Sequence, residues 1–421
     1  MELMEDILTE TNLGEALWKV LSNKGAAGID GVRTEDFHKQ LTEEWEGIKT
    51  KLLNGKYKPK GVRRVEIPKP NGGTRMLGIP TVMDRFIQQA MLQKLNPIFD
   101  PEFSEYSYGF RPRRSAHDAV RQSKKYIEEG YEYVVDLDLE KFFDTVNHDI
   151  LMYLVSKKVR DKRVLRLIGN YLRAGILENG VITSNEEGTP QGGVISPLLA
   201  NILLNELDKE LESRGHRFCR YADDCNIYVK SRKAGERVKK SITDFLKKKL
   251  KLKVNESKSS VDKPMNRKFL GFSFQIRESL EIIISPQSLK RVKDKIRKLT
   301  NSLWSISMEE RIKSLNKYLN GWLGYYSLSD TEWHIGALDG WLRRRMRLCS
   351  LHQWKKSKTR IRELRKLGAS EGEARRIGYS RKGNWRLSMT PQIHKVMGID
   401  YWKERGLVNL VEGYNAYRQG W

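Results

Sequence analysis

The sequence predicts an α+β fold, with strands and hairpins in roughly the first two thirds of the chain and helices in the remainder. β-rich runs flank turn-like segments near residues 68–73 and 223–224. From about Ser285 onward, apolar residues instead recur at helical spacing. The 421 residues are enough for about two to four domains with a sizeable core.

Two adjacent acids, Asp223 and Asp224, stand between β-rich runs, which predicts a hairpin with both carboxylates at its tip. Neighbouring carboxylates repel each other, which favours a bound cation such as Mg²⁺, whose ligands are hard oxygens and substrate phosphates. A third carboxylate from the strand near Asp136 would hold two ions about 4 Å apart, as nucleotidyl transfer requires. An isolated Asp-Asp pair, however, is usually a solvated turn.

The composition indicates a polyanionic partner, because 78 Lys and Arg against 53 Asp and Glu give a net charge of +25. Many RNA binders share this balance, so charge alone names no activity. Three cysteines without a C-x-x-C pair predict neither a disulfide framework nor a zinc site. We find no apolar run of about 18 residues and no signal-peptide pattern, and therefore expect a soluble, intracellular protein with no membrane partner.

The N-terminal region predicts an amphipathic helix over residues 11–24, capped by Asn12. A glycine-punctuated segment, 25–31, follows and has the composition of a connector. Runs 62–67 and 74–79 then predict a hairpin carrying Arg63, Lys69 and Arg75. These cations either fold over a triphosphate or lie on an exposed strand edge.

Residues 81–97 predict a helix with Thr81 as its N-cap and its end at Asn96-Pro97. Farther on, Asp136 and Asp138 share one face of a strand, so alternation cannot choose between them as a metal ligand. The glycine-rich turn 188–193 leads through Ser196-Pro197 into another helix.

The last third of the chain predicts three helices with cationic exteriors, followed by a basic tail. From Trp341 to Arg386 there are 16 Lys and Arg against 3 Glu, interleaved with Trp354 and Trp385. Such a composition is typical of nucleic-acid binding through phosphates and base stacking. A solvated helical bundle is the alternative for the three helices.

Three motifs carry a family resemblance: Tyr-Ala-Asp-Asp at 221–224, Pro-Gln-Gly-Gly at 190–193, and Tyr-Gly-Phe-Arg-Pro at 108–112. Together they resemble group II intron-encoded reverse transcriptases, also called maturases, over essentially the whole chain. The resemblance implies a right-hand polymerase with an N-terminal extension (1–60), fingers and palm (61–280), an α-helical thumb or maturase X domain (281–358) and a basic DNA-binding domain (359–421).

The resemblance also implies the site. In the family a bulky aromatic gate stands five residues after the metal-binding acid, which selects Asp138 because Phe143 follows at that distance, and leaves Asp136 a supporting role. Two Mg²⁺ ions, replaceable by Mn²⁺, are then held by Asp138, Asp223, Asp224 and the carbonyl of Leu139. The predicted dNTP-binding residues are Arg63, Lys69, Arg75, Phe143, Gln191 and Lys258. The predicted primer and template residues are Gly28, Asp30, Gly31, Arg111, Gly192 and Gly271.

The implied function is an RNA-directed DNA polymerase that extends a primer 3′-OH on an RNA template with dNTPs. The resemblance adds binding of its own group II intron RNA, assistance in splicing, retrohoming into target DNA, and a bacterial cytoplasmic location. The H-N-H endonuclease domain common in the family is not recognised before Trp421, so the resemblance is to the branch that lacks it. Two alternatives are a splicing cofactor that binds RNA without polymerising and a domesticated reverse transcriptase. For Arg111, both a phosphate contact and a bracing role remain open.

Overall fold

The computed structural model describes residues 2–68, 74–174, 176–178, 181–183 and 192–419, with only the backbone described at 75, 176–178 and 181–183. The chain divides into two compact units, Met1–Arg267 and Lys268–Trp421, called here the first and second units. Each unit has its own hydrophobic core. The finer domain boundaries predicted above remain predictions.

The strands form three sheets within the described ranges. Their bounds are β1 (Val62–Pro68), β2 (Thr74–Ile79), β3 (Tyr133–Leu137), β4 (Ile176–Glu178), β5 (Val181–Thr183), β6 (Arg217–Tyr221), β7 (Asp224–Val229), β8 (Ser260–Asp262), β9 (Phe272–Ile276) and β10 (Leu280–Ile284). The four-stranded sheets have the orders β2-β1-β4-β5 and β6-β7-β3-β8, and β9 pairs with β10.

The helices of the first unit are α1 (Leu3–Ile7), α2 (Glu10–Ser22), α3 (Phe37–Leu53), α4 (Val82–Phe99), α5 (Ala116–Glu128), α6 (Phe142–Thr145), α7 (His148–Ser156), α8 (Lys162–Arg173), α9 (Ser196–Ser213) and α10 (Arg232–Phe245). Those of the second are α11 (Pro286–Leu299), α12 (Met308–Tyr326), α13 (Glu332–Gln353), α14 (Ser357–Lys366), α15 (Glu371–Gly378), α16 (Asn384–Leu387), α17 (Pro391–Val396), α18 (Ile399–Glu404) and α19 (Leu410–Gln419). None of the helices in the described ranges is long and apolar enough to cross a membrane. The α+β class is confirmed.

The predicted fingers hairpin is present: β1 and β2 pair antiparallel, with Arg63 opposite Ile79 and Pro68 opposite Thr74. β1 also pairs in parallel with β4, which joins the hairpin to the chain segment just after α8. The hairpin is therefore the core of a small mixed sheet, separate from the sheet that carries the acids.

Two helix ends differ from the prediction. Asn12 does not cap α2, since the helix begins at Glu10 and the Asn12 amide is buried, donating to the carbonyls of Ile7 and Ala90. The α4 helix is capped by Thr81 as predicted, but it continues through Pro97 to Phe99. Tertiary burial of Asn12 thus outweighed its local capping signal.

The second unit consists of the three predicted helices, α11 to α13, and a group of short helices, α14 to α19. Ser307 caps α12 as predicted, accepting a hydrogen bond from the Glu310 N–H. Beyond α13 the chain has a packed interior, in which the Trp402 side chain is 1% exposed. The basic tail is therefore a folded segment.

Candidate active site

The pairing of β3 with β7 brings the distant acids together. Leu137 lies opposite Cys225, and Asp136 opposite Asn226, in an antiparallel register. Continued by one residue, this register places Asp138 beside Asp224, where neighbouring strands hold Cα atoms about 5 Å apart. Residues opposite each other share a face of the sheet, so both carboxylates emerge on the same side.

The carboxylates of Asp223 and Asp224 lie at the tip of the predicted hairpin, but the two-residue turn falls one position earlier than predicted. Tyr221 pairs with Asp224, so Ala222 and Asp223 form the two-residue turn and Asp224 begins β7. Ala222 has a left-handed φ of +56°. Asp223 is half-buried and Asp224 is exposed, so both acids lie at the sheet margin.

Hydrogen bonds hold the backbone of Asp138 just after the end of β3. Its N–H donates to the hydroxyl of Ser259 at 2.9 Å, and its carbonyl accepts the Asn255 N–H at 2.8 Å. That carbonyl is thus engaged within the protein. Leu139 forms an isolated antiparallel bridge with Val254. The hydrogen bonds of this bridge are made by the residues before and after this pair, and the Leu139 carbonyl therefore points away from Val254. This orientation supports Leu139 as an oxygen ligand.

Lys258 lies at the same acid. Its ammonium is 3.7 Å from Oδ2 of Asp138, although the lysine side chain is 64% exposed. The carboxylates of Asp138, Asp223 and Asp224 and the Leu139 carbonyl are hard oxygen donors, the kind of ligand that a divalent ion such as Mg²⁺ prefers.

The three acids do not form a compact triple in this structure. Among the described residues, the only three metal-ligand side chains with ligand atoms within 4.8 Å of one another are Glu2, Glu5 and Asp161. That cluster surrounds the guanidinium of Arg163, which bonds to all three carboxylates. It is accordingly a structural ion-pair network joining α1 to the start of α8.

Phe143 lies at the start of α6, on the chain that leaves Asp138. Phe142 is fully buried, whereas Phe143 is half-buried and its ring meets that of Phe142 edge-on at 5.2 Å. Lys141, just before them, has a left-handed φ of +47°. Phe142 thus belongs to the core of the first unit, and the Phe143 ring packs against that core while remaining partly exposed.

The predicted fingers residues are only partly described. Lys69 and Gln191 lie outside the described residues, and so does the side chain of Arg75. Arg63 is half-buried on β1, and its Nε atom is enclosed with no acceptor among the described residues. Gly192 has a φ of +116°, and a Cβ there would lie 2.5 Å from the carbonyl oxygen of Gly78 on β2. The absence of a Cβ at Gly192 lets the backbone there approach β2 closely.

The N-terminal glycine segment packs against the cap of α4. A Cβ on Gly28 would lie 2.6 Å from the Cα of Thr81, so only glycine fits without a shift. Gly31 has a φ of +72° and open space around it. The Asp30 carboxylate accepts the Val32 N–H and lies 3.8 Å from the Lys60 ammonium. Specific contacts therefore hold this segment in a defined loop conformation.

Of the two roles considered for Arg111, a phosphate contact and bracing, its contacts favour bracing. Its guanidinium donates to the Asp100 carboxylate at 2.7 Å and to three carbonyls, those of Asp100, Ser104 and Ser107, and the side chain is 5% exposed. All of these donors are directed to acceptors within the protein, which supports the bracing role.

Gly271 belongs to the second unit, where it precedes β9. It has a φ of +85°, and a Cβ there would lie 2.6 Å from the Tyr326 hydroxyl. Its carbonyl accepts the Ser285 N–H and the Ser288 hydroxyl. These contacts fix the turn that contains this predicted primer or template residue against α11 and α12.

Arg220 was missed as a site residue. It lies on β6 directly before the Tyr-Ala-Asp-Asp motif, and its side chain is fully buried in an ion pair with Asp208 of α9. The available signal was an arginine placed between Cys219 and Tyr221 in a predicted strand, just before two acids. No local pattern could identify Asp208 as its partner.

Two family models match this chain. Residues 67–274 match the family described as reverse transcriptase (RNA-dependent DNA polymerase). Residues 289–368 match the group II intron, maturase-specific domain. Among solved structures, a partial Cas6-RT-Cas1–Cas2 complex has 23% identity and a TM-score of 0.38, with coverage of 59% of this chain and 43% of that one. That likeness is too distant to support an argument.

Two curated relatives are similar over longer stretches. Protein YkfC of Escherichia coli strain K12 is 37% identical, with coverage of 59% of this chain and 76% of the relative. Group II intron-encoded protein LtrA of Lactococcus lactis subsp. cremoris is 31% identical, with coverage of 66% of this chain and 57% of the relative.

The matched domains define an RNA-directed DNA polymerase, a nucleotidyltransferase. More particularly, the chain belongs to the family of group II intron-encoded reverse transcriptases with a maturase domain. Reverse transcriptase domains generally use divalent metal ions, and the maturase domain implies binding of intron RNA.

Proposed function

We propose that the protein extends a primer 3′-OH on an RNA template, with Asp138, Asp223 and Asp224 as the metal-binding acids of a right-hand polymerase. The observation that supports this proposal is the β3–β7 register, which pairs Leu137 with Cys225 and, continued by one residue, would bring Asp138 opposite Asp224. When bound, two Mg²⁺ ions, or Mn²⁺ in their place, would activate the attacking hydroxyl and stabilise the leaving oxygen. Leu139 contributes a backbone carbonyl to the same site.

Cations of the first unit receive the triphosphate. Arg63, half-buried on β1, is proposed to bind a phosphate oxygen through its guanidinium. Lys258, already 3.7 Å from Asp138, lies where it can donate a proton to the departing pyrophosphate. Lys69, Arg75 and Gln191 complete the proposed dNTP site.

Phe143 is the proposed steric gate. Its half-buried ring stands at the bend just after Asp138, where a ribose 2′-OH would meet it and a deoxyribose would not. The Phe143 ring would exclude the 2′-OH by its size, without a hydrogen bond to that hydroxyl, and so select deoxynucleotides.

The template–primer duplex and the target DNA are bound mainly through charge. In the second unit, α11 carries six exposed cations and one exposed acid: Lys290, Arg291, Lys293, Lys295, Arg297, Lys298 and Asp294. A cleft between α14 and α15 is lined by five cations, by Glu371, which pairs with two of them, and by Tyr379, which is 66% exposed. Phosphate contacts of this kind position a duplex without reading its sequence. We assign α11 to the duplex and the cleft to DNA.

The tryptophans predicted to stack on bases are engaged within the chain. The Arg344 guanidinium lies 3.6 Å from the centre of the Trp385 ring, and Trp354 packs against the core of the second unit. Tyr379 is the more accessible aromatic in this region, so it is the residue we assign to base stacking.

Primer extension with RNA and DNA templates tests the proposed function. Wild-type protein is expected to incorporate dNTPs with Mg²⁺, and Asp223→Asn to lose synthesis while retaining affinity for group II intron RNA. Tight RNA binding by the wild type without any product would instead identify a splicing cofactor. Loss of both RNA binding and synthesis in Asp223→Asn would refute the assigned metal role. Splicing assistance and retrohoming follow from the family and need separate assays with the intron RNA.

A further inference from the structure

One fully buried arginine, Arg220, bonds to the β6–β7 hairpin that carries Asp223 and Asp224. Nε and Nη2 of Arg220 donate to the two carboxylate oxygens of Asp208 at 2.7 and 2.6 Å, and both side chains are 0% exposed. A two-pronged bond of this kind fixes the plane of the guanidinium as well as its position.

The other three donors of Arg220 are directed at the elements around the turn. Nη1 donates to the carbonyl of Ala222 at 2.9 Å and to Oδ1 of Asn201 at 3.0 Å, while Nη2 donates to the Ser107 hydroxyl at 2.7 Å. All five N–H groups of the guanidinium therefore have acceptors. A single side chain thus joins α9, residues 106–109 and the turn that carries Asp223.

The bonded turn residue has an unfavourable backbone conformation. Ala222 has a φ of +56°, which a residue with a Cβ adopts only when its surroundings impose it. Gly109 packs so tightly behind the turn that a Cβ on it would lie 2.4 Å from the Ala222 nitrogen. Asn201 also donates to the Gly109 carbonyl at 2.9 Å. The turn is thus enclosed on the side away from the acids.

A buried ion pair is a costly way to stabilise a core, because an apolar pair of similar volume is often at least as stable. Here the pair supplies a directed bond to the carbonyl that immediately precedes Asp223. We propose that Arg220 is a positioning residue: its guanidinium sets the conformation of the Ala222–Asp223 turn and so aims the Asp223 and Asp224 carboxylates at the divalent ions. This inference rests on the proposed function of those acids.

The test compares two buried arginines. Arg220→Lys keeps a positive charge but loses the fork that reaches both Asp208 and Ala222. Arg311→Lys is the matched control, because Arg311 is also buried, at 1% exposure, and donates to three carbonyls, those of Leu299, Asn301 and Trp304. If Arg220→Lys does not fold, Asn201→Ala replaces it, since that change leaves the ion pair intact and removes one acceptor.

Two readouts are measured below the melting temperature of every variant. The first is single-turnover primer extension at saturating dNTP, in which Arg220→Lys is expected to lose about 10- to 100-fold in rate, as small misplacements of catalytic groups do. The second is Mn²⁺ binding by electron paramagnetic resonance without substrate, in which its affinity is expected to fall at least about threefold, or 0.7 kcal/mol. Asn201→Ala is expected to show smaller changes in the same directions, and Arg311→Lys neither change.

Equal rate losses in Arg220→Lys and Arg311→Lys, or wild-type Mn²⁺ affinity in Arg220→Lys and Asn201→Ala, would overturn the positioning role. Failure of the wild type to extend any primer would overturn the proposed function. The Mn²⁺ measurement is made without synthesis and therefore distinguishes the two failures.

Discussion

Asp136 is bound to Arg267: Nε of the guanidinium donates to Oδ2 of the carboxylate at 3.1 Å, and Nη2 bonds to the same oxygen. Asp136 and Asp138 share a face of the strand, so alternation alone leaves both as candidates. The ion pair gives Asp136 a structural partner from the end of the first unit. Asp138 lies two residues closer to the hairpin tip, and among the described ion pairs it is paired only with Lys258, whose side chain is 64% exposed.

Phe143→Ala should weaken the exclusion of ribonucleotides, because the ring that would meet the 2′-OH is removed. We expect the ratio of dNTP to rNTP incorporation efficiency to fall by about 10- to 100-fold, the range available to a single steric contact. Competing incorporation on one template measures this ratio. Phe142→Leu is the control, since Phe142 lies in the core, and it should lower stability without altering sugar selection. An unchanged ratio in Phe143→Ala would remove the gate from this position.

Lys258→Met should slow the chemical step by at least about tenfold, since a general acid typically contributes that much or more. The physical reason is the location of its ammonium, 3.7 Å from Asp138. Rapid-quench incorporation of a single nucleotide separates this step from binding. Lys249→Met, on an exposed lysine outside the site, is expected to behave as wild type. Equal rates for the two variants would exclude a role for Lys258 in chemistry.

The network around Arg163 should make stability dependent on pH. The hydrogen bond from Arg163 lowers the pKa of Glu5 below its ordinary value of 4.5. A depressed carboxyl pKa stabilises the folded state above that ordinary value, and the contribution is lost as the pH falls through the folded-state pKa.

Arg163→Met should therefore lower the melting temperature by about 2 to 4 °C at pH 7 and by less at pH 3.5. Thermal unfolding followed by circular dichroism at both pH values measures the difference. Lys19→Met, which breaks the exposed Lys19–Glu15 pair within α2, serves as the control and should change little at either pH. A deficit in Arg163→Met that is the same at both pH values would show that Glu5 does not provide this linkage.

Much of the fold was predictable because its signals are local. The hairpin over residues 62–79, the Thr81 and Ser307 caps and the three helices after Ser285 each follow from patterns within a few residues. The errors occurred where distant contacts decide the outcome. Asn12 has the composition of a cap but is buried against Ala90, and Pro97 is accommodated within α4.

The candidate site shows the same division. Spacing to Phe143 selects Asp138 only through the family resemblance, and the sequence contains no record of the Asp136–Arg267 pair, whose members are 131 positions apart. Arg220 and Asp208 are 12 positions apart, on different elements, and their pairing depends on how α9 packs beneath β6. Such contacts arise only when the chain is folded.

The most direct test of the metal-binding assignment compares Asp138→Asn with Asp136→Asn in Mg²⁺-dependent primer extension on an RNA template. Both variants remove one carboxylate charge from the same face of the same strand, so they are closely matched. Asp138→Asn is expected to lose extension by at least about 1,000-fold, with RNA binding intact, while Asp136→Asn keeps most of its activity at temperatures where it is folded. Wild-type extension by Asp138→Asn, or an equal loss in a folded Asp136→Asn, would contradict the assignment.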